Sequence, residues 1–165
     1  AMAWTRATFE SEATLSAPFL DDDPETGGAA DPMAGDGPTP PQVEPGDRFP
    51  MVPSLTANLG LRYDLSATVF ELTGAWVGGQ FLVGDEANDA TLGKLDGYAL
   101  LDLSVERSFG ATAFYLRITN LFDTDYRSFG VLSENVRGPT QAVERFLTPG
   151  HPAQLSAGIR LRMRR

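Results

Sequence analysis

Few side chains among these 165 residues have the type and spacing that catalysis or metal binding requires. The consecutive carboxylates Asp21, Asp22 and Asp23 could offer oxygens to a hard cation such as Ca²⁺. Their Gly- and Pro-rich surroundings supply no fixed cage, so a solvated acidic loop is the favoured reading. His151, the single histidine, lies between Gly150 and Pro152 with no evident partner and reads as a loop residue rather than a ligand or base. The absence of cysteine excludes disulfides, thiolate metal sites and cysteine nucleophiles. No nucleophile is paired with a base, no Gly-rich loop is shaped to cradle phosphate, and no metal-ligand cluster occurs. The expectation is a protein that is not an enzyme, with no catalytic residue, no metal site and no cofactor; its substrate-binding residues are unassigned.

Charge narrows the partners. The net charge of −9 argues against nucleic acid, whose phosphates demand a basic stripe. Much of that charge is local: Asp21, Asp22, Asp23, Glu25, Asp31, Asp36, Glu44 and Asp47 face no Lys or Arg between Ser16 and Asp47. Arg160, Arg162, Arg164 and Arg165 reverse the sign at the C-terminus. The cations that remain of interest are Arg62, Arg117, Arg160 and Arg162, with the acids Asp64, Glu71 and Glu106, and their meaning depends on the elements that hold them.

Those elements alternate apolar and polar residues at period two, the mark of strands with one oily face. Six segments qualify: about Ala3 to Leu15, Ser54 to Asp64, Thr68 to Val83, Tyr98 to Arg107, Thr112 to Phe122, and Ala153 to Met163. In the last, Ala153, Leu155, Ala157, Ile159, Leu161 and Met163 interleave with Gln154, Ser156, Gly158, Arg160 and Arg162. The four arginines fall on the polar faces, where Asp64, Glu71 or Glu106 can pair with them. The register blurs near Gly78-Gly79, where a bulge is expected.

The connections alternate in length. Tight turns near Leu65 and near Phe109 share one side with the C-terminus, while long polar stretches, about 16–48, 84–97 and 123–148, share the other. The first is rich in Pro, Gly and Asp and the third is partly extended. No apolar run approaches the roughly 18 residues of a membrane helix. Each strand is near the roughly 9 to 11 residues that a tilted strand needs to cross a hydrocarbon core. Asymmetric connections and apolar faces fit a transmembrane β-barrel, whose watery interior explains an overall hydrophobic content of only 42%. A soluble or surface-exposed β-sheet binding module also alternates, and a small complete outer-membrane barrel would need at least about eight strands.

Four motifs in order point further. Asn120-Leu121-Phe122-Asp123 followed by Tyr126 resembles a signature near the C-terminus of TonB-dependent outer-membrane receptors. Pro50 and Pro53 resemble that family's Pro-x-x-Pro lead into a barrel strand, Gly97-Tyr98 with Asp102 its Gly-Tyr-x-x-x-Asp strand, and Pro149-Gly150-His151-Pro152 the loop that opens its last strand. Two positions depart: Ala153 stands where the family usually has Arg, and Met163, Arg164 and Arg165 stand where it usually ends on an aromatic residue.

The resemblance implies an all-β fold, an antiparallel up-and-down meander of about six strands forming part of a barrel of roughly twenty-two strands plugged by an N-terminal domain. Residues 1–165 would be its C-terminal barrel segment, with the plug and earlier strands outside this sequence. The implied function is energy-coupled import of a scarce nutrient, most often a ferric siderophore, across the Gram-negative outer membrane, with the C-terminus periplasmic. Implied partners are outer-membrane lipid, the plug and remaining strands, the TonB complex acting through the N-terminal part, and a small-molecule ligand such as a siderophore.

Overall fold

The computed structural model describes residues 1–14, 42–135 and 142–162. Leu15, the aspartate run at Asp21, and Met163, Arg164 and Arg165 therefore lie outside the described residues. Ten strands and no helix occur among the described residues: β1 Met2–Trp4, β2 Ala13–Thr14, β3 Gln42–Val43, β4 Leu55–Leu65, β5 Thr68–Val77, β6 Tyr98–Phe109, β7 Thr112–Thr119, β8 Arg127–Glu134, β9 Val143–Pro149 and β10 Gln154–Leu161. Six of them form one antiparallel sheet in the order β1-β4-β5-β6-β7-β10, while β2 pairs with β3 and β8 with β9.

The register fixes the faces. Leu59 lies opposite Gly74, Leu61 opposite Leu72 and Tyr63 opposite Phe70, and these continue through Leu101, Leu103 and Val105 to Ile118, Leu116, Leu155 and Ala157. Because side chains alternate sides, one shared register places every one of them on a single face. Arg62, Glu71, Ser104, Arg117 and Ser156 align across the same five strands on the other face. The apolar face is uncovered: Leu59 is 64% exposed, Tyr63 62% and Leu155 70%. A water-soluble sheet buries such a face against a second layer, whereas a barrel strand turns it to hydrocarbon.

Two segments depart from the sequence reading, each for a local reason. The first segment is not one strand to Leu15: β1 ends at Trp4, a single bridge joins Thr8 to Arg48, and pairing resumes only at β2. The returning chain carries Pro50 and Pro53, which have no N–H to donate, and Met51 at φ 58 between them, so the ladder breaks there. The third segment stops at Val77 rather than Val83. Gly97 explains the break: a Cβ there would lie 2.8 Å from the Val77 carbonyl oxygen and 3.0 Å from the Gly79 nitrogen, so backbones cross closer than any side chain allows. Beyond the crossing Gln80 and Leu95 exchange backbone hydrogen bonds of 3.0 and 2.9 Å. The third long connection is a hairpin, β8 with β9, as its partly extended character suggested.

The buried residues sit outside the six-stranded sheet, except for Ala113 and Asn120 at a strand and its end. Leu82 and Leu95 are fully enclosed, and together with Leu147 they converge on Gly130 of β8. Val83 donates to the Gly130 carbonyl at 3.1 Å and Leu132 donates to Val83 at 2.7 Å, stitching the segment 80–95 to the hairpin. The Lys94 Nζ lies 3.9 Å from the centre of the Phe81 ring. Asp85 accepts the N–H groups of Asp89 and Ala90; burial pushes its carboxyl above its ordinary value, against the pull of those donors. The segment 80–95 and the β8–β9 hairpin thus make a packed shoulder at the end of the sheet opposite the tight turns.

Candidate functional site

Most residues singled out from the sequence motifs meet at the end of β7, where the chain leaves the sheet. Asn120 and Asp123 both adopt left-handed backbone, φ 50 each, which Asn and Asp tolerate better than other side chains. Asn120 is buried, and every polar atom of its side chain is engaged: Nδ2 donates to the carbonyls of Thr124 and His151 at 3.0 Å each, and Oδ1 accepts the Thr124 N–H at 2.9 Å. Its own N–H donates to Asp102 Oδ1 on β6 at 2.9 Å. Asp123 Oδ1 accepts the Ala153 N–H at 2.8 Å, one residue before β10. The Asn-Leu-Phe-Asp motif therefore ties β6, β7 and the start of β10 together by hydrogen bonds to backbone.

Tyr126 closes the same junction. Its carbonyl accepts the Gly150 N–H at 2.8 Å and its hydroxyl accepts the His151 N–H at 3.3 Å. Its ring packs 4.4 Å from the Tyr98 ring, centre to centre. A Cβ on Gly150 would fall 2.1 Å from Tyr126 Cζ, so glycine is the residue that lets the ring lie flat on the chain. Pro149 ends β9 and Pro152 precedes the bonded Ala153. Leu121 donates its N–H to Leu101 at 2.7 Å, while the Phe122 side chain is exposed. Pro50 and Pro53 are elsewhere, in the break before β4, and the structure does not bring them to this junction. Among the described residues His151 hydrogen-bonds through its backbone groups alone.

A second cluster occupies the polar face near the tight turns. Arg62 pairs with Glu71, its direct cross-strand partner, at 2.6 Å and with Asp64 at 3.0 Å. Arg160 reaches over β7 to Glu106 at 2.6 Å. Arg62, Glu71, Glu106 and Arg160, with Arg117 and Arg162, line a concavity of about 610 Å³. Arg117 stands between Ser104 and Ser156 and forms no ion pair among the described residues. Tyr115, packed over Gly158 on the neighbouring strand, belongs to this lining but was not singled out from the sequence. The Phe81-Leu82-Val83 run was also missed; three apolar residues without alternation, just after a Gly pair, were its signal.

A single-layer antiparallel wall with one apolar face, one charged concave face and all long connections at one end defines a segment of a transmembrane-type β-barrel. The family profile described as "TonB dependent receptor-like, beta-barrel" matches residues 4–121, and the chain belongs to that family. Solved structures agree in fold. The ferric citrate transporter FecA in its unliganded form superposes with TM-score 0.54 at 24% identity, over 70% of this chain and 17% of that one. The ferric yersiniabactin uptake receptor FyuA from Yersinia pestis gives 0.53 at 20%, over 70% and 17%. The ferric-catecholate import receptor Fiu from E. coli K12 gives 0.54 at 19%, over 69% and 15%. The chain spans about a sixth of the length of these structures. No curated protein sequence matches it. The family consists of transport receptors, and its homologues are outer-membrane β-barrels.

Proposed function

We propose that this chain forms one wall of an outer-membrane receptor that imports a scarce nutrient by energy-coupled transport, the cargo being a ferric siderophore. The observation that supports this most is the partition of the sheet: an uncovered apolar face backs a charged concave one, in a chain of the TonB-dependent receptor family. In this reading the apolar face lies in lipid and the concavity around Arg62, Glu71, Arg117 and Arg160 faces the barrel interior. There its paired and unpaired charges meet a plug domain supplied by the same receptor. The junction at Asn120 and Tyr126 holds the outer shoulder, including β8 and β9, at the mouth where ligand arrives. The tight turns and the C-terminus are periplasmic, and the TonB complex acts on the plug.

The test is growth of a Gram-negative strain lacking the full-length receptor, with ferric siderophores as sole iron source. Restoration by the receptor gene, and its loss when the energy-coupling complex is disabled, is the expected result. Uptake that is indifferent to the gene, or restored equally without energy coupling, would overturn the proposal.

A further inference from the structure

Charge in the six-stranded sheet is segregated by face with one exception. Arg62, Asp64, Glu71, Asp102, Glu106, Arg117 and Arg160 all stand on the concave face by register. Arg107 alone among the charged residues of these strands stands on the apolar face, with Thr68 opposite on β5 and Phe114 opposite on β7. No carboxylate shares that face, and its guanidinium forms no ion pair among the described residues. It is nevertheless held: its Cζ lies 5.1 Å from the centre of the Phe109 ring, which meets the Phe114 ring edge-on at 5.9 Å. An aromatic wall thus orients a fork of donors that has no hydrogen-bond or ion-pair partner among the described residues.

Its depth names the environment. The apolar face of β6 runs from Ala99 to Phe109, so its middle falls between Leu103 and Val105. Three residues at about 3.4 Å each, on a strand tilted about 40°, put Arg107 about 8 Å from that middle. The apolar band of an outer-membrane barrel is about 25 Å tall, so Arg107 sits about 5 Å inside its edge, a distance that a long cationic side chain spans to reach the headgroups. The tight turn at Gly110 lies just beyond.

From this we infer that Arg107, backed by Phe109 and Phe114, binds the phosphate of an anionic phospholipid in the leaflet on the tight-turn side. The inference rests on the membrane reading proposed above. The guanidinium matches a phosphate in bidentate geometry, and an unpaired charge on an otherwise apolar face selects a headgroup with net negative charge. Phe109 and Phe114 supply the ring surface against which the first methylenes of the acyl chains pack.

The full-length receptor reconstituted in phosphatidylcholine vesicles, with spin-labelled phosphatidylglycerol or spin-labelled phosphatidylcholine as probe, tests it. The wild type should immobilise the phosphatidylglycerol probe in preference to phosphatidylcholine. Arg107→Gln should reduce that preference about fivefold, and Arg107→Lys, keeping the charge without the fork, should lose less. Equal preference in wild type and Arg107→Gln would overturn the inference, as would displacement of the probe by inorganic phosphate, which would make the ligand a free anion. Immobilisation of phosphatidylcholine without preference for phosphatidylglycerol in the wild type would end the inference and leave the membrane reading intact. Immobilisation of neither probe would end both.

Discussion

Replacing Asn120 by Asp should loosen the outer junction far more than its near-identical shape suggests. Asp tolerates the left-handed backbone and keeps an oxygen for the Thr124 N–H, so only the two bonds donated by Nδ2 are lost. The carbonyls of half-buried Thr124 and exposed His151 then lose the buried amide that donates to them and face an added negative charge 3.0 Å away. At about 1–3 kcal/mol for each group left unsatisfied the loss is about 2–6 kcal/mol. These bonds tie the chain after β9 to the end of β7, so the effect should appear as local opening. Amide exchange is the assay, read at Gly150, His151 and Ala153, whose N–H groups end on Tyr126 and Asp123. Exchange there should accelerate roughly thirtyfold or more, while amides in the middle of β5 stay unchanged. Less than about threefold acceleration, or equal acceleration in β5, would refute the claim that Asn120 is a local tie.

Three further outcomes are expected. Leu59→Arg places a charge near the middle of the lipid face and should cost about 2–4 kcal/mol in urea unfolding of the reconstituted receptor, while Asn58→Arg, one residue along on the other face, should be much milder. Leu82→Ala, at a fully enclosed position, should lose about 2–5 kcal/mol of local stability, read as faster exchange at the Val83 and Leu132 amides that stitch the shoulder. Gly97→Ala introduces a Cβ against two backbone atoms that cannot move independently; about 1–3 kcal/mol should be lost, with protection falling at the Gln80 and Leu95 amides.

How much of this was legible in the sequence depended on whether a strand was half-exposed. β4 and β10 alternate almost without fault because one side chain in two meets an apolar environment and the next a polar one, and nothing else presses on them. The same logic placed Arg62, Glu71, Glu106 and Arg160 on one face, and their pairings follow from register. The long connections defeated it. Phe81, Leu82 and Val83 pack against a hairpin on one side and a loop on the other, which erases period two. In the first segment the alternation was visible but its pairing was not, since the interruption comes from Pro50 and Pro53 in the partner. The motif residues could be picked out as candidates; that Asn120 and Asp123 bond to backbone some thirty residues away depends on the closure of the β8 and β9 excursion. Arg107 escaped notice because an arginine beside a turn looks unremarkable until the register assigns its face.

Which face of the sheet meets lipid is the deciding question. The 165 residues contain no cysteine, so single thiols can be introduced one at a time from Thr56 to Tyr63 of β4 in the membrane-embedded receptor and their access to a lipid-soluble and a water-soluble collision reagent compared. Strict alternation is expected, with positions 57, 59, 61 and 63 reached from the lipid and positions 56, 58, 60 and 62 reached from water or sheltered. Access from water at positions 59 and 61 equal to that at 58 and 60 would contradict it.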